Sequence, residues 1–228
     1  MKTQFRSRGI KVLVGNTAQN IMKIYYEPND EVTSLNSEVI ELAERFECLE
    51  YAVTDGKIDS INFHLDCKQI DDITAEFNCD LVTNIGSVFD LSFKSYTLGY
   101  RLNGGKSVYY YPTVWKGTRF GIRGITDRSV IVKYIERFLS FVSVSSECRD
   151  TIIQQVPYVT KFKGVCITNY RNKNSFKIYY RMNSQGIREI FGADYITRKY
   201  CDEYGEIVLI SVGITDGEIV SYNFYFLR

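Results

Sequence analysis

Residues 169–182 read NYRNKNSFKIYYRM, and their alternation decides the fold. Phe176, Ile178, Tyr180 and Met182 fall on one face of an extended segment, and Lys177, Tyr179 and Arg181 on the other. One face is apolar; the opposite face sets cations beside phenols. The Asn-rich run before it has the composition of a hairpin loop. The pattern recurs elsewhere in the chain. GYRLNGGKSVYYY at 99–111 places Tyr100, Arg101 and Tyr109 where Tyr170, Arg171 and Tyr179 stand, with Ser107 at the lysine position. NIMKIYYEP at 20–28 places Lys23 and Tyr25 where Lys177 and Tyr179 stand.

A second unit, YAVTDGKIDSINFHL at 51–65, returns as VGITDGEIVSYNFYF at 212–226. Both carry Asp-Gly, which supplies the positive φ angles of a tight hairpin turn. Alternation puts Asp59, Ile61, Phe63 and Leu65 opposite Ile58, Ser60, Asn62 and His64. In the later copy Val220, Tyr222, Phe224 and Phe226 oppose Ser221, Asn223 and Tyr225. A weaker relative, RGITDRSVIVKYIERF at 123–138, has helical spacing instead.

Five hairpins follow, near 10–27, 49–65, 92–111, 163–182 and 207–227, with further extended residues near 119–125. Amphipathic helices are expected at 37–46, 70–77, 129–142 with Ser129 as N-cap, 148–155 and 185–200. Tyr 18 and Phe 14 against Pro 3 suit long uninterrupted strands. Ten antiparallel strands without a charge-protected edge predict closure. The expected fold is α+β: one domain over 1–228, a closed ten-stranded antiparallel β-barrel with surrounding α-helices. The apolar strand faces point outward onto helices, and the Lys, Arg, Tyr and Asn faces point inward. An ordinary small barrel fills its interior with aliphatic side chains. A lumen lined by charges is wet or holds a ligand, because unpaired buried charge is costly.

Lys plus Arg 28 against Asp plus Glu 27 gives a net charge of +1, which argues against coating nucleic acid or an anionic membrane. No stretch approaches the ~18 apolar residues of a membrane-spanning helix. The six cysteines form no CxxC pair and His64 is the only histidine, so no zinc site is expected and a cytoplasmic, reducing setting is. DDITAE at 71–76 reads as the solvated start of a helix and NGGK at 103–106 as a turn.

Repeated hairpins separated by helices, with K-x-Y on the inward face, resemble the ABBA-type aromatic prenyltransferases, whose fold is the ten-stranded PT barrel. ITNYRNKNSFKIYYRMNSQGIREIFG at 167–192 and the ending EIVLISVGITDGEIVSYNFYF at 206–226 look most like the cyanobactin branch, which prenylates ribosomal cyclic peptides. The resemblance implies transfer of a dimethylallyl or geranyl group from its diphosphate to a peptide or small aromatic acceptor, with no nucleic-acid or membrane partner. It implies that Lys23, Lys177, Arg181 and Arg119, with Arg123 as an alternative, grip the diphosphate. Tyr25, Tyr109, Tyr179 and Tyr225 would shield the allylic cation. Glu50 is the candidate base, with Glu27 competing, and Asn62, His64 and Asn223 would line the acceptor pocket. No cofactor is required by this reading; Mg2+ accompanying the diphosphate is left open. Two other functions stay open on the residues alone: a non-catalytic barrel for a small hydrophobic or anionic ligand, and a repeat-built sheet for protein interaction.

Overall fold

The computed structural model describes residues 5–14, 16–65, 85, 95–112, 124–170, 173–192 and 199–227. The strands are β1 Phe5–Leu13, β2 Asn16–Tyr26, β3 Cys48–Thr54, β4 Lys57–Leu65, β5 Ser95–Arg101, β6 Lys106–Tyr111, β7 Val159–Tyr170, β8 Lys173–Met182, β9 Glu206–Thr215 and β10 Glu218–Leu227. Each pairs antiparallel with its sequence neighbours, and β1 pairs with β10, so the sheet closes. The five hairpins are β1–β2, β3–β4, β5–β6, β7–β8 and β9–β10. Their turns gather at one end of the barrel, here the upper end. At both Asp-Gly turns the two residues have positive φ: Asp55 50° and Gly56 73°, Asp216 52° and Gly217 81°. That is the turn whose twist matches a hairpin's strands.

The described helices are α1 Asp30–Thr33, α2 Ser37–Arg45, α3 Arg128–Phe141, α4 Ser146–Gln155, α5 Ser184–Phe191 and α6 Asp202–Tyr204. They lie in connections that leave from the lower end. Two of the differences from the expected helix boundaries have a visible cause. Asp127, not Ser129, caps α3: its Oδ1 accepts from the Ser129 N–H at 2.9 Å and the Val130 N–H at 3.2 Å. The Ser129 hydroxyl is itself spent as a donor to that carboxylate at 2.7 Å. The helix expected over 185–200 stops at Phe191, because Gly192 at φ 71° turns the chain out of it. The helix expected at 70–77 and the extended residues 119–123 lie outside the described residues, while Ile125 bridges Phe162 of β7.

The main core lies outside the barrel. Outward strand residues such as Ile10, Phe63, Val108, Val165, Ile178, Val212 and Phe224 pack with Val39 and Leu42 of α2, Ile131, Ile135 and Phe138 of α3, and Ile152 of α4. One polar group is tied into this layer: Gln155 accepts from the Tyr180 hydroxyl and donates to the Tyr222 hydroxyl at 3.1 Å. A bulge in β7 leaves Lys163 as an extra residue between the pairs Phe162↔Tyr180 and Gly164↔Tyr179. Gly164 has φ 152°, and a Cβ there would run into the Tyr110 carbonyl oxygen of β6. Gly164→Ala should therefore cost about 3 kcal/mol or more in chemical denaturation. A loss under about 1 kcal/mol would show that the strands can part there.

Candidate functional site

Apart from Asp59, the inward faces are those the alternation assigns, and they build the lumen in storeys. At mid-height Tyr25 (β2), Tyr109 (β6), Tyr179 (β8) and Tyr225 (β10) converge from four strands. Ring centroids are 6.1 Å apart for Tyr25–Tyr225, 6.3 Å for Tyr179–Tyr225 and 5.9 Å for Tyr109–Tyr179. Ala52, Cys166 and Leu209 complete this second, smaller cluster inside the barrel. All four tyrosines singled out in the sequence thus meet.

Above the tyrosines is a cavity of about 210 Å3 lined by Lys11, Lys23, Arg101 and Lys177, by Asp59, Asn62, Ser107 and Asn223, and by Tyr25, Tyr109 and Tyr225. Four cations face one carboxylate among the described lining residues. Lys23 is ion-paired with Asp59. Burial pushes the Lys177 ammonium down to about 7, and the nearby charges of Arg101, Lys23 and Lys11 add to the effect against the opposing Cys166. Burial also lowers Lys11, helped by Arg101 and Lys23 and opposed by Asp59. Among the described lining residues positive charge exceeds negative, a setting that suits an anion.

Lys23 and Lys177 were expected here; Lys11 and Arg101 were not. Arg101 had a signal, since it aligns with Arg171 in the repeat and lines the same cavity as Ser107, which replaces lysine in that copy. Asp59 is a correction. Plain alternation sets it with outward Ile61, but the register slips between Ala52↔Ser60 and Val53↔Ile58, and Asp59 turns to the cavity and Lys23. Asn62 and Asn223, both expected in the acceptor pocket, line this cavity beside the cations, and Asn223 donates to the Ser211 hydroxyl at 3.0 Å.

The lower lumen holds Glu50 on β3, only 3% exposed, whose Oε1 accepts from the Asn62 amide at 2.9 Å across the strand pair. His64 lies one alternation below Asn62, opposite Thr97. Glu27 lies just past the end of β2, half-buried. Arg181 does not join Lys23 and Lys177. It sits at the lower end of β8, opposite Lys161, and lines a separate cavity of about 880 Å3. Arg119 and Arg123 lie outside the described residues, as does the acidic run at 71–76.

Among the described residues no three of His, Cys, Asp and Glu come together, and the cavity carboxylate Asp59 is taken by Lys23. No helix among the described residues is long and apolar enough to cross a membrane.

No protein-family model and no curated protein matches the sequence. Solved structures do. AnaPT from Neosartorya fischeri superposes with a TM-score of 0.60 at 9% identity, over 96% of this chain and 77% of that one. A 5-dimethylallyltryptophan synthase from Streptomyces coelicolor gives 0.40 at 10% identity, over 96% and 80%. PriB, in a binary complex with product diphosphate, gives 0.44 at 11% identity, over 97% and 79%. The AnaPT superposition carries the fold: a closed ten-stranded antiparallel barrel of the ABBA, or PT-barrel, type.

Proposed function

We propose that this chain is an aromatic prenyltransferase, moving a prenyl group from an allylic diphosphate to an aromatic peptide side chain or small aromatic molecule. The observation that carries the reading is the stacking of two storeys in one lumen: a cation cluster of Lys11, Lys23, Arg101 and Lys177 directly above a ring of four tyrosines. The first suits a diphosphate leaving group, through charge-assisted hydrogen bonds in a water-poor site. The second suits an allylic cation, since each aromatic face attracts a cation by ~0.5–2 kcal/mol.

In this reading the C1–O bond of the donor breaks, and its electron pair leaves with the diphosphate held by the four cations. The tyrosine faces hold the allylic cation while a ring carbon of the acceptor forms the new C–C bond to C1. The displaced ring proton passes to the Glu50 carboxylate. A peptide acceptor, as in the cyanobactin branch that 167–192 resembles, enters from the lower end. Cys148 and Cys201 are unbridged thiols, in keeping with a reducing compartment.

The direct test is mass spectrometry after incubation with dimethylallyl or geranyl diphosphate and a panel of aromatic amino acids and cyclic peptides. The expected result is an acceptor heavier by one dimethylallyl unit. Tight donor binding with neither transfer nor donor cleavage would leave a ligand-binding barrel instead.

A further inference from the structure

One nucleophile of the tyrosine storey has no part in the transfer to an acceptor. Cys166 on β7 is fully buried and carries a thiol. It packs in the inner cluster with Tyr25, Tyr179 and Tyr225, against which Tyr109 also lies. Across the sheet it is the register partner of Tyr109 on β6 and of Lys177 on β8. Residues paired across neighbouring strands point to the same face, so the sulfur stands between a ring tyrosine and a cation of the cavity above. Of the charges around the Lys177 ammonium, that of Cys166 opposes the lowering, which puts sulfur and nitrogen in one electrostatic neighbourhood.

The same wall is shaped for a guest. Ser7 is the register partner of Tyr25, and Thr97 of Tyr109, so both hydroxyls face the lumen at the height of the ring. Ser7 is 0% exposed and Thr97 4%, and neither side-chain oxygen has a hydrogen-bond partner among the described residues. Buried polar groups are nearly always paired, so two left open at one level mark a place where a bound molecule sits. Among the side chains that meet there, a thiol is a stronger nucleophile near neutral pH than a phenol, with an ordinary pKa of ~8.5 against ~10.

We propose that Cys166 is an internal acceptor: when a donor ionises with no aromatic acceptor in the lumen, the protein prenylates its own Cys166 sulfur. This rests on the transferase reading and adds a modification site to it. The C1–O bond of dimethylallyl diphosphate breaks, and its electron pair leaves with the diphosphate. A sulfur lone pair forms the S–C1 bond. The thiol proton passes to an oxygen of the departing diphosphate, which the cations hold directly above. The products are a thioether and protonated diphosphate. A thioether is a poor leaving group, so the C5 unit stays among the tyrosines and one such event ends a molecule's turnover. An acceptor ring in the lumen competes for the same carbon and protects the sulfur.

The full chain is incubated with dimethylallyl diphosphate and no acceptor, and its intact mass and proteolytic peptides are followed by mass spectrometry. The expected result is a chain heavier by one dimethylallyl group, carried on the peptide that holds Cys166. Isopentenyl diphosphate, of the same mass and charge but without an allylic C1, should give no adduct. Cys166→Ser should lose the adduct, and mapping on the unaltered chain locates it whether or not that variant folds. Donor cleaved to dimethylallyl alcohol with Cys166 unmodified would overturn the proposal. So would the group found instead on Cys48 or Cys201, which are nearer the surface, or an undiminished adduct in Cys166→Ser. The two readings separate by donor chemistry. If the donor is not cleaved and dimethylallyl S-thiolodiphosphate does not bind by calorimetry, the transferase reading falls as well; binding and cleavage without the adduct strike this proposal alone.

Discussion

Lys177→Met is expected to lower kcat/KM for prenyl transfer by on the order of 10²-fold, about 2.7 kcal/mol, with the fold intact. Met keeps the stem and removes the ammonium from the centre of the cation cluster. The charge it would stabilise is greatest as the diphosphate leaves, so kcat should fall along with donor affinity. Folding should not suffer. A lysine held down to about 7 by burial is a burden on the native state, not a support. Between about 7 and the ordinary 10.5 the unfolded chain keeps the Lys177 proton and the native one does not. Stability of the unliganded protein from this group therefore rises with pH across that window.

Donor binding should show the opposite linkage. A diphosphate beside Lys177 raises its affinity for the proton, so binding above neutral pH takes a proton up, and affinity weakens as pH climbs from about 7. Calorimetry at pH 8 in buffers of different ionisation enthalpy measures that uptake, and Lys177→Met should remove most of it, the remainder belonging to Lys11. Unchanged turnover and unchanged proton uptake in the variant would take Lys177 out of the site.

Alternation and turn chemistry made the barrel legible. Asp-Gly fixed two hairpins outright, and the aligned K-x-Y copies placed Tyr25, Tyr109 and Tyr179 on inward faces before any contact between them was visible. What alternation supplies is a face, not a height along the barrel axis. Arg181 shares its face with Lys177, yet four residues along a strand carry it to the other mouth. A single slipped register is equally invisible in a sequence: it moved Asp59 from the helix side to the cavity, where it pairs with Lys23. Lys11 was missed for a third reason. It belongs to β1, which has no copy in either repeat; its place follows from pairing with Asn223 across the closing β1–β10 seam.

The second large effect is expected at Glu50. Glu50→Gln keeps the shape, and its carbonyl oxygen can still accept from the Asn62 amide that now binds Oε1 at 2.9 Å. What it loses is the capacity to take a ring proton in a buried lumen. A positioned base contributes ~10²–10⁴-fold, so product formation should fall by that range while thiolodiphosphate affinity and denaturation midpoint stay near wild type. Donor ionisation precedes proton removal, so the variant should still cleave dimethylallyl diphosphate, and the ratio of dimethylallyl alcohol to prenylated acceptor should rise. A merely structural Glu50 would move the denaturation midpoint and leave that ratio alone. Glu27→Gln is the companion measurement. Glu27 is half-buried just past the end of β2, without the bond to the Asn62 amide that holds Glu50, and should change turnover by less than about threefold. If Glu27→Gln shifts the partition and Glu50→Gln does not, the base lies at the rim. The acceptor ring would then have to sit below the tyrosines, not among them.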